Sequence, residues 1–241
     1  MNNAIADPSP KSMARLAGLL YLLYIATSIV ADLLGHFVFP PAPETLARMA
    51  THESLFRAGF LTSLFSYVLF LGAAWALFAL LAPVNRNLAL LFLLFNAAGF
   101  VMWFFSMLVL YAGLLAVSGA GFRAAYPPGQ LQALADLFIN LRKVGGSISM
   151  LPYGVWLLPL GYLVFRSGFL PKALGILLYV DFAACILVVL QRFLLPALDV
   201  LAYPCFMASF VAEFALALWL LVKGDQGRRS RDATAGGRAS A

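Results

Sequence analysis

Six runs of mostly apolar residues divide this chain, and each reaches the length of about 20 residues that a helix needs to cross a bilayer. Inside hydrocarbon a backbone has no water to bond, so a spanning segment must satisfy its own polar groups as a helix or join a closed barrel. The runs are continuously apolar rather than alternating, which selects helices. The expected fold is therefore all-α: a polytopic membrane protein built as a six-transmembrane-helix bundle, with a short amphipathic interfacial helix. Six spans consume most of the 241 residues and leave no room for a separate folded domain.

The spans are expected at 16–38, 58–81, 88–117, 144–165, 173–194 and 198–222. The first is too long for the apolar core of a signal peptide, and no small-residue cleavage site follows it. Pro40, Pro41 and Pro43 end it. Residues 44–56 then read as the amphipathic helix, with Leu46, Met49, Ala50 and Phe56 on the apolar side. Residues 83–87 make a tight turn, and 118–130 form a loop rich in Gly and Pro. The stretch 131–142 has helical spacing but too much charge for lipid, so it extends the fourth span at the surface. Pro152 and Pro159 should bend that span. Residues 1–14 are read as a disordered cytosolic lead, 15–223 as the membrane domain, and 224–241 as a disordered cytosolic tail.

Charge fixes the orientation and excludes one class of partner. One side of the expected topology holds Lys11, Arg15, Arg86, Arg166, Lys172, Lys223, Arg228, Arg229, Arg231 and Arg238; the other holds Arg48, Arg57, Arg123, Arg142, Lys143 and Arg192. The richer side faces the cytoplasm, which places both termini there, in a cell inner membrane. The net charge of +6 sits at span ends and in the tail, with no basic stripe interleaved with aromatics, so it marks topology beside anionic lipid rather than nucleic-acid binding. Cys185 and Cys205 both lie in apolar runs, and His36 and His52 have no ligand spacing, so neither a disulfide framework nor a metal site is expected.

Several short stretches carry a family likeness. They are Leu55, Phe56, Arg57, Ala58, Gly59 and Phe60; the turn Pro83, Val84, Asn85, Arg86 and Asn87 with Leu88, Ala89, Leu90 and Leu91 after it; and Gly161, Tyr162, Leu163, Val164, Phe165, Arg166, Ser167, Gly168, Phe169, Leu170, Pro171 and Lys172 with Leu174 and Gly175 beyond. Glu213 with Leu218, Trp219, Leu220, Leu221, Val222, Lys223 and Gly224 completes the set. Over residues 13–224 the chain resembles the bacterial membrane family known as domain-of-unknown-function family 4386. That family's pattern often carries an arginine in the third span near the position of Asn96, where this chain departs from it. The resemblance implies a six-helix membrane fold and no activity, cofactor or catalytic residue.

Polar groups at membrane depth are the candidates for function, because a charge in hydrocarbon is costly and normally faces the bundle interior or water. At the helical rise, Asp181 lies about 13 Å from Lys172, Glu213 about 15 Å from Lys223, and Asn96 about 15 Å from Arg86. Three polar groups on three helices thus share one level. They make a protonatable or cation-binding midplane site, or they are hydrogen-bonded packing between neighbouring helices. A second cluster lies at the outer rim. Asp136, Asn140 and Lys143 share one helical face, Arg57 opens the second span, Arg192 ends the fifth, and Asp32 and His36 end the first. This is an outward vestibule for an anionic or zwitterionic ligand, or charge pairing that ties helix ends together. Gly154 with Gly161, and Ser209 and Ala217 around Glu213, read as packing seams.

No GxSxG, HExxH, phosphate loop, dinucleotide fingerprint or heme-type histidine pair is present, so an intramembrane enzyme is the weakest of the readings and no cofactor is expected. Two functions stay open. One is a small carrier or permease with a protonatable midplane site that takes a small molecule or ion. The other is a membrane-embedded structural or regulatory subunit without transport or catalysis. The oligomeric state stays open too. The orientation is testable directly. Reporter domains fused after Asp225 and after Arg123 should report the cytosolic and the external side respectively, and the same side for both would break the assignment.

Overall fold

The computed structural model describes residues 10–35, 37 and 42–223, without the side chains of 42, 43, 50 and 199. Its elements are α1 (Pro10–Gly35), α2 (Ala42–Thr51), α3 (Glu53–Leu81), α4 (Arg86–Ser118), α5 (Ala120–Ala125), α6 (Pro128–Val155), α7 (Leu157–Ser167), α8 (Lys172–Leu194), a 3-10 segment (Pro196–Leu201) and α9 (Ala202–Val222). Six of the helical segments are long and apolar enough to cross a membrane, α6 and α7 together forming the fourth. No strand occurs among the described residues. The fold is an all-α polytopic bundle.

The ends of the elements differ from the sequence expectation where proline or packing intervenes. The first helix begins at Pro10, inside the stretch expected to be a disordered lead, and Met13 and Ala14 are already buried. Proline suits a first helical turn because its missing N–H would have no partner there anyway. The amphipathic helix stops at Thr51 rather than 56. Phe56 belongs to α3 and is fully buried, while Met49 packs toward the bundle. The last span starts at Ala202 rather than 198, because Pro196 ends the preceding helix and the chain passes through a 3-10 turn. The fourth span is interrupted at Trp156, between Pro152 and Pro159 as expected. His36, Pro40, Pro41, residues 1–9 and the expected tail 224–241 lie outside the described residues.

The spans form a closed ring in chain order: α1 lies on α3, α3 on α4, α4 on α6, α6 and α7 on α8, α8 on α9, and α9 back on α1. An even number of spans therefore brings Pro10 and Val222 to one end, called proximal here; the other end is distal. Large apolar side chains such as Phe65 and Phe105 stand outward with 69% and 67% exposure, a surface suited to lipid rather than water. The interior is filled by aromatic rings, among them Tyr21, Phe70, Phe92, Trp103, Tyr153 and Trp156.

Small residues let the helices close. A Cβ at Gly18 would lie 2.5 Å from the backbone nitrogen of Leu221 and 2.7 Å from the carbonyl oxygen of Ala217. The expected seam of Gly154 and Gly161 runs along α8, where a Cβ at Gly154 would meet Cys185 at 2.9 Å and one at Gly161 the Gly175 carbonyl at 3.2 Å. The proximal turn after α7 needs Gly168, whose φ of 71° is left-handed, and Ser167 Oγ accepts from Leu170 N–H at 3.1 Å to hold it. Association in lipid rests on this kind of contact, since apolar burial gives no advantage over lipid tails. Gly18→Val should therefore lower stability by about 1–3 kcal/mol, read as a fall in Tm in detergent, because backbone and not a flexible side chain stands in the way. Gly121→Ala, with nothing within 4 Å of the added carbon, is the control and should leave Tm unchanged within error.

Candidate functional site

Two of the three midplane groups come together. Glu213 of α9 faces Asp181 of α8 and Tyr21 of α1 within electrostatic reach. Asp181 is 1% exposed and Glu213 is partly buried. Asp181 Oδ1 accepts from the Cys185 thiol at 3.5 Å, and Cys185 Sγ lies 3.9 Å from Ser209 Oγ. These contacts leave Asp181 Oδ2 and the Tyr21 hydroxyl buried with no hydrogen-bond partner. The small-residue face expected around Glu213 is what permits this: Ala217 lies against Gly18, and Ser209 against Cys185.

Asn96 does not join them. It is fully buried on α4 between Phe92, whose ring meets Trp156 at 6.1 Å, and Gly99, which lies against Tyr153. Its depth is as expected, but its face points to α6 and α7. Both amide atoms lack a partner.

A ladder of tyrosines leads from the acids toward the distal end. Tyr21 meets Tyr24 at 6.0 Å between ring centroids, Tyr24 meets Tyr67 at 5.7 Å, and Tyr67 stacks on Trp103 at 4.4 Å with 22° between planes. Tyr153 lies beside Tyr67 at 6.0 Å, and both Tyr153 and Tyr67 are within electrostatic reach of Glu213. Arg142 completes the stack, its guanidinium carbon 4.8 Å from the Trp103 ring centroid.

Arg142 also anchors the chain after α1. It donates through Nη1 to the carbonyl of Phe37, while the Phe37 N–H donates to Asp32 Oδ1 at 3.0 Å. The arginine is 3% exposed, and its Nε and Nη2 have no hydrogen-bond partner. It lies on the inner face of α6 with the buried residues Ala135, Ile139, Gly146 and Ser149. That row of small and apolar residues was the sequence signal for it; the polar row of Asp136, Asn140 and Lys143 drew attention to a different face.

Arg142 lines a cavity of about 610 Å³ with Lys143, Arg192, Trp103, Tyr67 and Tyr203 among its walls. The last turns of α8 and the first turn of α9 contribute, so it lies toward the distal end. Of the expected rim cluster, Lys143 and Arg192 reach this cavity. Asp136 does not line it; its backbone carbonyl accepts from the exposed Asn140. Arg57 is engaged elsewhere, with Glu53 at 2.7 Å and the Tyr111 hydroxyl at 2.8 Å, and so ties α3 to α4. A second cavity of about 510 Å³ beside α2 and α5 is lined by Leu46, Val117, Arg123, Tyr126 and Leu131 among others. Among the described residues no group of three or more His, Cys, Asp or Glu side chains is placed to hold a metal ion.

The sequence profile described as Domain of unknown function (DUF4386) matches residues 16–224. An uncharacterized protein of the archaeon Archaeoglobus fulgidus is 30% identical over 151 residues, which are 63% of this chain and 74% of the relative. The likeness is therefore not confined to bacteria. No solved structure matches. The unpartnered Tyr21 hydroxyl supplies a test of the geometry. Because it makes no hydrogen bond of ordinary length, Tyr21→Phe should leave Tm unchanged or raise it; a loss of about 1 kcal/mol or more would mean that the hydroxyl bonds to Glu213 in the folded protein.

Proposed function

We propose that this chain, which belongs to the family described as Domain of unknown function (DUF4386), is a small membrane carrier that couples movement of a small molecule to protonation of Glu213 and Asp181. The observation that carries this reading is the continuous tyrosine ladder between the acid pair and the distal cavity. An ionised carboxylate at this depth needs a cation or water, whereas a protonated one needs only a hydrogen-bond partner. Gaining or losing a proton therefore changes what the acid pair tolerates beside it. The distal cavity receives the ligand, and the break at Trp156 gives the fourth span a joint between its halves. Both termini lie in the cytoplasm and the distal cavity opens outward across a cell inner membrane, following the Lys and Arg distribution.

The competing reading is a structural or regulatory subunit whose acids only pack helices. It is favoured by the backbone-tight contact of Gly18 with α9 and by the Cys185 thiol on Asp181, which pack that side of the ring closely. Proteoliposomes enclosing a pH-sensitive dye separate the two. Across a panel of small organic acids, amines and sugars, the wild-type protein should acidify the interior with at least one substrate. Glu213→Gln should abolish that signal with Tm unchanged, while Glu213→Leu should lower Tm as well. A folded wild-type protein that moves no protons with any of them, or a Gln variant with wild-type flux, removes the carrier reading.

A further inference from the structure

The orphaned donors of Arg142 are not scattered. Nε and Nη2 form one edge of the planar guanidinium, and two parallel N–H groups on such an edge match the two oxygens of a carboxylate. The other nitrogen, Nη1, is already committed to the Phe37 carbonyl, and the ring of Trp103 holds the plane from one face. An arginine held by that hydrogen bond and that ring, with an unpartnered fork, is preorganised for a ligand, since little rotamer freedom remains to be lost on binding. A buried guanidinium with unmet donors is otherwise an expensive thing to keep.

The surroundings narrow the ligand. The cavity volume of about 610 Å³ lies within the range of roughly 300–1,000 Å³ usual for small-molecule sites. Lys143 and Arg192 add positive charge, and no Asp or Glu is among the described lining residues. Asp32 lies within electrostatic reach of Arg142 and Lys143, and Glu44 of Lys143, so part of this charge is balanced; Asp32 already accepts from Phe37 N–H. Trp103, Tyr67, Tyr203 and Phe206 present rings, and Met150 and Val188 present aliphatic surface. We propose that the distal cavity binds a small amphipathic carboxylate, its oxygens on Arg142 Nε and Nη2 and its apolar body against the aromatic wall. This names the ligand class for the entry cavity of the carrier reading and rests on that reading for its biological role; the binding itself requires no transport.

Isothermal titration calorimetry of the full chain in nanodiscs of phosphatidylcholine tests it, with sodium benzoate as probe. Benzoate should bind saturably, one per chain, and benzamide, of the same shape without the charge, should give no saturable heat. Arg142→Lys keeps the charge and loses the fork, so benzoate affinity should fall by about tenfold or more. Because Arg142 also anchors Phe37, the rim variant Arg192→Gln provides a second reading, with an affinity loss of several-fold and an unchanged Tm. Absence of benzoate binding to folded protein, equal binding of benzamide, or wild-type affinity in both variants overturns the proposal. Repetition with phosphatidylglycerol in the disc distinguishes a lipid source: unchanged benzoate affinity supports a soluble ligand, and loss of benzoate binding assigns the fork to a lipid headgroup and overturns it. Benzoate binding without proton flux would remove the carrier and leave this site standing.

Discussion

The bundle closes where Gly18 of α1 lies against the backbone of α9, and the interior depends on that closure. In lipid an open row of helices would leave Tyr21, Asp181 and Glu213 facing hydrocarbon, where an unmet polar group costs several kcal/mol. Joining the first span to the last turns the row into a ring and gives these groups an inside. The same approach brings Tyr21 to Glu213, because both helices meet at their small residues. Replacing Gly18 by anything larger would widen the gap between the two polar partners as well as loosen the pair of helices.

Inside the ring, rings of another kind set the path of polarity. Phenol, indole and guanidinium groups have an apolar face and a polar edge, so they fill a close-packed interior while keeping donors in reach of one another. Tyr21, Tyr24 and Tyr67 use this to connect the acid pair on one side of the bundle to Arg142 on the other. An acid pair and a buried arginine are thus held apart by aromatic spacers instead of neutralising each other in an ion pair. Carboxyls and a guanidinium kept separate are each still available to a third group, which a salt bridge would not allow.

The spans were legible because hydrocarbon imposes a length, and a length can be read directly along a chain. The joint at Trp156 was legible from Pro152 and Pro159, and the Gly154 and Gly161 seam from their spacing. Azimuth was much less so. Depth placed Asn96 level with Glu213, but only the packing of Phe92 and Gly99 reveals that it faces the fourth span. Arg142 was passed over for a related reason: its neighbours at one helical turn are apolar or small, which reads as core, while Asp136, Asn140 and Lys143 share polarity and read as a site. Of those three only Lys143 lines the distal cavity. The helix start at Pro10 was hidden within the polar stretch 1–14, where a proline at a first turn initiates rather than breaks.

A ring built in chain order has no structural beginning. Its six neighbour relations would be the same if the chain were opened at the proximal turn 83–87 or at 168–171 and joined instead between α9 and α1, because those turns lie on the same side as the present ends. Packing alone therefore does not dictate which span enters the membrane first. The order of entry follows the order of the chain, while flanking Lys and Arg residues bias orientation, so a circularly permuted chain that kept them should reach the same bundle by a different route.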